Sequence, residues 1–220
     1  MRLFIKRLIS RSSFFAIIDK MAFWISRIFF GSIWKIELAL RGVRPFFNLS
    51  IVIYGRPIIA LAAGSDVKLD EEVILMSNSR FCLSASLYAP CKIQTLSMSS
   101  KIHIKKGVSL NGTSIVCRSS EITIGARTMI GPNVMITDSP FHHIWPLTAR
   151  NIDPGVDIDN PVKIGSDVWI CSQVVILPGS SIGSGSVIAA GSVVRGVIPC
   201  NCLAAGVPAK VIRYLDKPVI

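Results

Sequence analysis

The sequence predicts an all-β solenoid of six-residue repeats with a helical segment at its N-terminus, and three observations carry that prediction. From Ile164 to Pro199 the chain reads as six consecutive blocks: IGSDVW, ICSQVV, ILPGSS, IGSGSV, IAAGSV and VRGVIP. Each block opens on an aliphatic residue, namely Ile164, Ile170, Ile176, Ile182, Ile188 and Val194. A period of six is a multiple of the strand period of two, so all six can point inward. A helical period of 3.6 would scatter them around a circumference. Glycines recur where a narrow coil must bend sharply. No single block could bury its own aliphatic residue, so the blocks must stack. A β-sandwich does not keep so regular a period.

Residues 1–46 read as helical. Ile17, Met21, Trp24, Ile25 and Ile28 recur at helical spacing, and Phe14, Phe15, Phe23, Phe29, Phe30 and Trp34 add aromatic surface. The segment holds nine of the 24 Lys and Arg residues against only Asp19 and Glu37, so most of the chain's net charge of +11 is concentrated there. That asymmetry argues for a local anionic partner. Asp19, Lys20 and Arg27 interrupt the run of about twenty apolar residues that a membrane span requires. No apolar core precedes a small-residue cleavage site, so it does not read as a signal peptide. Two placements fit a basic, aromatic amphipathic segment. It lies in a membrane interface, or it caps the open end of the solenoid. Arg44-Pro45 is the expected stop.

Residues 47–215 form the expected solenoid domain. Ile51, Ile53, Ile58 and Ile59 are apolar. Leu69, Leu75, Phe81, Leu87 and Ile93 then follow at intervals of six, as do Ile104, Leu110 and Val116, and Ile124, Ile130 and Ile136. Between Ile136 and Ile164 the repeat breaks, which predicts a loop over 137–163. Insertions in solenoids leave as loops, and loops on rigid scaffolds carry function. This one contains Asp138, His142, His143 and Arg150.

Half of the residues are hydrophobic and 17% are charged, which suits a sizeable interior. Six scattered cysteines without zinc-type pairing read as reduced thiols of a cytoplasmic protein. Three histidines, two of them adjacent, do not make a metal set, so no metal is expected. The glycines follow the six-residue period rather than a strand-to-helix turn. Nothing therefore points to a nucleotide-binding loop or to nucleic acid.

The repeats, with the tail AAGVPAKVIR (Ala204 to Arg213), resemble the hexapeptide-repeat acyltransferases, and most closely the maltose and galactoside O-acetyltransferase branch. The resemblance covers Ile102 to Arg213 well and Leu69 to Ile93 more loosely. It implies a left-handed parallel β-helix with three repeats per coil, an exception to the usual right-handed crossover. It further implies acetyl-CoA as acyl donor, a sugar hydroxyl as acceptor and a homotrimer in which an adjoining subunit completes each site.

By this resemblance His142, within ITDSPFHHIWPL, stands where related enzymes place a catalytic base, and imidazole titrates in the useful range. Pro140 replaces an acidic residue of the usual pattern, leaving Asp138 as the nearby carboxylate for an acceptor. Asn111 matches an amide that faces the acetyl and acceptor groups, where it can donate to an oxyanion or orient the nucleophile. A turn residue tolerant of unusual φ is the other reading of Asn111. Ser172 and Ala190 match small residues lining a coenzyme groove. Lys210 and Arg213 match basic residues that meet the coenzyme phosphates, and Arg195 stands one position before the family's usual Lys. Trp169 either walls the acyl or acceptor site or fills a subunit interface.

The implied activity is O-acetylation of a sugar hydroxyl in surface polysaccharide or glycolipid synthesis. Residues 1–46 would then hold the enzyme peripherally at the inner membrane face. The rivals are N-acetylation of a nucleotide-linked amino sugar and a non-catalytic scaffold. Coenzyme A binding separates the scaffold from both transferases.

Overall fold

A computed structural model of the chain describes residues 31–44, 50–152 and 155–215. The stretch from Met1 to Phe30, which carries most of the predicted N-terminal helix, lies outside them.

Helix α1 (Gly31–Leu40) is the first described element. Gly42, at φ +93°, stops it before the predicted Arg44-Pro45. Val43 N–H donates to Leu38 O and Gly42 N–H to Ala39 O, both at 3.0 Å, which satisfies the last carbonyls in a Schellman arrangement. Leu38 and Val43 are buried in the same cluster as the solenoid interior, and Trp34 packs against it. These residues extend the solenoid core at its upper end.

Six coils follow. They are β1 (Val52–Tyr54), β2 (Ile58–Ala60), β3 (Asp66–Leu69); β4 (Ile74–Met76), β5 (Lys92–Thr95), β6 (Lys101–Ile104); and β7 (Ser109–Asn111), β8 (Ser114–Cys117), β9 (Glu121–Ile124). Below them lie β10 (Met129–Pro132), β11 (Met135–Thr137), β12 (Val162–Ile164); β13 (Trp169–Ile170), β14 (Val175–Ile176), β15 (Ser181–Ile182); and β16 (Val187–Ile188), β17 (Val193–Val194), β18 (Val197–Ile198). A hairpin of β19 (Cys202–Gly206) and β20 (Ala209–Tyr214) closes the lower end.

Every third strand pairs in parallel, giving three sheets around one core. The first is β1-β4-β7-β10-β13-β16-β19-β20, the second β2-β5-β8-β11-β14-β17 and the third β3-β6-β9-β12-β15-β18. Register-matched aliphatics form columns: Ile53, Leu75, Leu110, Ile130, Ile170 and Ile188 inside the first sheet, and Ile59, Ile93, Ile115, Ile136, Ile176 and Val194 inside the second. All are buried. Where the lower coils turn from the third sheet to the first, the positions of Gly125, Gly165 and Gly183 have no room for a side chain. A Cβ on Gly165 would sit 2.5 Å from Ser184 N.

Three counted positions are corrected. Phe81 and Leu87 are not interior, because residues 77–91 leave the coil as a loop between β4 and β5. The count survived because Leu75 and Ile93 lie 18 residues apart, three repeats by arithmetic but a single repeat in space, from β4 to β5 of one coil. Val116 faces outward, and its neighbours Ile115 and Cys117 fill the core.

The 77–91 loop stands at the edge between the first and second sheets. The insertion over 138–161, after β11, stands at the edge between the second and third. The two loops therefore flank the outer face of the second sheet.

Candidate active site

The insertion is anchored before it reaches its histidines. Asp138 is fully buried, and its carboxylate accepts from the backbone N–H of Arg118 (2.7 Å), Ser120 (2.8 Å) and Ser119 (3.2 Å). Burial, and then that carboxylate, push the Cys117 thiol up to about 12, so it stays protonated and donates to Asp138 Oδ2 at 3.3 Å. Its oxygens are spent on a turn of the preceding coil, and the side chain is closed off from solvent.

Arg118 closes the loop from the other side. Its guanidinium forks across Asp159, Nε at 2.8 Å and Nη2 at 2.6 Å, with the two side chains 8% and 1% exposed. Nη1 also donates to Phe141 O at 3.0 Å and Nη2 to Gly155 O, while the Phe141 ring lies 5.5 Å from the guanidinium carbon. Burial alone would raise the Asp159 pKa. Hydrogen bonds from Arg118, Ser119 and Ser139 outweigh it and hold the carboxyl below its usual range. The pair is thus charged at neutral pH.

His142 is exposed, and its Nδ1 lies 2.8 Å from Arg150 O. A carbonyl only accepts, so in the neutral ring Nδ1 carries the proton and Nε2 keeps the lone pair. His143 is employed otherwise, with Nε2 3.0 Å from Asp157 Oδ1 inside the insertion.

Asn111 ends β7, and its Nδ2 donates to Ile130 O at 2.7 Å. The unusual backbone belongs to the next residue, Gly112 at φ +53°, so the turn reading of Asn111 falls away. The 77–91 loop packs here: a Cβ on Gly112 would lie 2.9 Å from Ala89 O. Lower on the same edge, Tyr88 N–H donates to Asn133 Oδ1 at 2.8 Å, and Gln173 Nε2 bonds the Tyr88 hydroxyl.

Asn111, Ser172 and Ala190 all stand at this first-to-second-sheet edge. Ser172 and Ala190 occupy successive coils, about 4.8 Å apart. Gly191 N–H donates to Ser172 O at 3.0 Å, and a Cβ on Gly191 would meet nothing within 4 Å, so the strip beside Ala190 is open. Below it, Ala205 pairs with Lys210 and Leu203 with Arg213. The register shift between them leaves Ile212 as an extra residue, which resets the alternation and turns both basic side chains to one face. Arg195 stands apart, in the turn from β17 to β18, at the edge that carries the His142 insertion. Trp169, half exposed, lies on the outer face of the first sheet between Met129 and Val187. That face is opposite the edge from which the insertion leaves, so within one chain Trp169 does not wall the His142 side.

The predicted residues therefore divide: Asn111, Ser172 and Ala190 stand at one edge of the second sheet, His142 and Arg195 at the other, and Lys210 and Arg213 on β20 at the lower end of the first sheet. Arg118, Asp159 and the Arg150 carbonyl carried no signal in the sequence, because isolated polar residues outside the repeat have no period to betray them.

Residues 152–196 match the family described as bacterial transferase hexapeptide (six repeats). That match is confined to the hexapeptide repeats of these residues. No curated protein sequence matches it. Among solved structures, AntD, an N-acyltransferase from Bacillus cereus in complex with dTDP-4-amino-4,6-dideoxyglucose and coenzyme A, is 15% identical. Coverage is 77% of this chain and 83% of AntD, with a TM-score of 0.54. That likeness shows the shared fold. A galactoside acetyltransferase in complex with coenzyme A is 27% identical over 72% of this chain and 65% of its own, with a TM-score of 0.44. PerB from Caulobacter crescentus, in complex with CoA and GDP-perosamine, is 20% identical over 74% of this chain, with a TM-score of 0.45. This hexapeptide-repeat chain spans 57% of the PerB chain's length.

Proposed function

We propose that this hexapeptide-repeat protein is an acetyl-CoA-dependent O-acetyltransferase acting on a sugar hydroxyl, with His142 as general base. The observation that carries the reading is the Arg150 carbonyl on His142 Nδ1, which leaves Nε2 as the proton acceptor. The acceptor hydroxyl gives its proton to Nε2 as its oxygen attacks the thioester carbonyl. The carbon–sulfur bond then breaks, and the coenzyme thiolate takes the proton from the imidazolium. No covalent enzyme intermediate is required. Asn111, pinned by one N–H to Ile130 O, retains an amide oxygen and a second N–H to orient the reacting groups. The open strip at Ser172, Ala190 and Gly191 suits a narrow pantetheine arm, with Lys210 and Arg213 below it for the phosphates. Because His142 and Asn111 stand at different edges of the second sheet, a neighbouring subunit of a homotrimer brings the two halves together. Trp169 and Met129 then serve as apolar contact surface.

Purified full-length protein is tested with acetyl-CoA against a panel of saccharides and amino sugars, reading free thiol and the alkali lability of the product. Thiol release with an alkali-labile ester is expected. An alkali-stable amide formed only from amino sugars would overturn hydroxyl transfer. Absence of coenzyme binding would leave only a scaffold.

The donor site has its own test. Lys210→Ala and Arg213→Ala each raise the KM for acetyl-CoA by on the order of tenfold, the scale of one charge-assisted contact. A truncated thioester lacking the nucleotide shows a smaller effect. Equal losses with both donors would mark the residues as structural.

A further inference from the structure

We propose that the buried Arg118–Asp159 pair is a positioning device for His142, a role that rests on His142 being the base. The pair ties both arms of the insertion to the solenoid. Arg118 lies in the turn after β8, on the coil above the one from which the insertion leaves, and is 7% exposed. Its fork takes Asp159 from the returning arm, and its remaining N–H groups take Phe141 O from the outgoing arm and Gly155 O from the returning one.

Phe141 sits immediately before His142 at φ +65°, a left-handed conformation that a bulky residue holds only when its surroundings over-determine it. Those surroundings are on hand. Ser139 Oγ accepts from Phe141 N–H at 2.8 Å, Arg118 Nη1 donates to the Phe141 carbonyl, and the guanidinium lies over the ring. The backbone turn that aims the His142 ring at Arg150 O is therefore held by the guanidinium. Lysine cannot replace it, because one ammonium cannot fork across a carboxylate and reach two carbonyls in different directions.

The test uses the full chain with Arg118→Lys and, separately, Asp159→Asn. For each, cooperative melting, kcat, the KM for acetyl-CoA and the neutral tautomer of His142 are measured. The tautomer is read from ¹⁵N-labelled histidine above the imidazole titration, with the signal assigned by its loss in His142→Gln. Wild type is expected to hold the Nδ1–H form. Both variants are expected to melt cooperatively and to populate the Nε2–H form. Their kcat should fall by on the order of 10- to 10²-fold, the cost of a displacement near 1 Å, with KM within about twofold. If the tautomer shifts while kcat holds, the positioning role stands and the base assignment falls. An unchanged tautomer in cooperatively melting variants overturns the proposal, whatever kcat does. Loss of cooperative melting in both variants overturns it as well, since the pair then serves the fold as a whole.

Discussion

His142→Ala lowers kcat by on the order of 10²–10⁴-fold, the usual contribution of a positioned acid–base group, and leaves the KM for acetyl-CoA nearly unchanged. The two adjacent histidines make this a sharp test. His142 Nδ1 meets a carbonyl, which settles the tautomer and leaves Nε2 as an acceptor, whereas His143 Nε2 is engaged with Asp157. His143→Ala should therefore loosen the insertion and cost far less than the neighbouring change. His142→Gln, which cannot accept a proton in the operating range, should be as inactive as alanine. A crippled His143→Ala with a competent His142→Ala, measured under saturating donor, would reverse the assignment.

Removing residues 1–30 abolishes sedimentation with anionic vesicles and leaves the cooperative melt intact, whereas removing 1–46 damages the fold. The division follows from what α1 does. Leu38 and Val43 belong to the solenoid core, and Gly42 stops the helix so that Val43 can enter it. Residues 1–30 hold six Lys or Arg against Asp19 alone, together with six Phe or Trp, if Phe4 is set aside. Each basic residue near an anionic surface contributes about 1 kcal/mol, weakened by salt, and inserted aromatic area adds a salt-insensitive part. Among the described residues no helix is long and apolar enough to cross a membrane. The full chain should thus pellet with anionic vesicles and be only partly released by high salt. The chain begun at Gly31 should stay in the supernatant and keep its activity on a soluble acceptor. A chain begun at Phe47 should melt at lower temperature or precipitate, having lost Leu38 and Val43 from its core. Vesicle binding by the chain begun at Gly31 would move the membrane contact to the exposed Ile33, Ile36 and Leu40 of α1.

The repeat was legible because its physics is local. An inward aliphatic every sixth residue is written into each block, and the columns through Ile164, Ile170, Ile176, Ile182, Ile188 and Val194 are the ones the structure buries. The same arithmetic failed at Phe81 and Leu87, where a loop of commensurate length mimics the period, and at Val116, where a shift of one residue exchanges inside for outside. The insertion's position was equally plain, since a break in a strict period is itself a signal. Its internal order was not. Asp138 reads in sequence as a carboxylate near a base, and only the fold brings three backbone N–H groups of the coil above to its oxygens. Arg118 and Asp159 lie 41 residues apart and meet because a coil turn and a returning loop stack along one edge. Contacts between coils depend on which edge each turn occupies, and a one-dimensional period assigns residues to inside or outside but does not assign them to edges. The division of the candidate residues between two edges of the second sheet was therefore decided by tertiary structure alone.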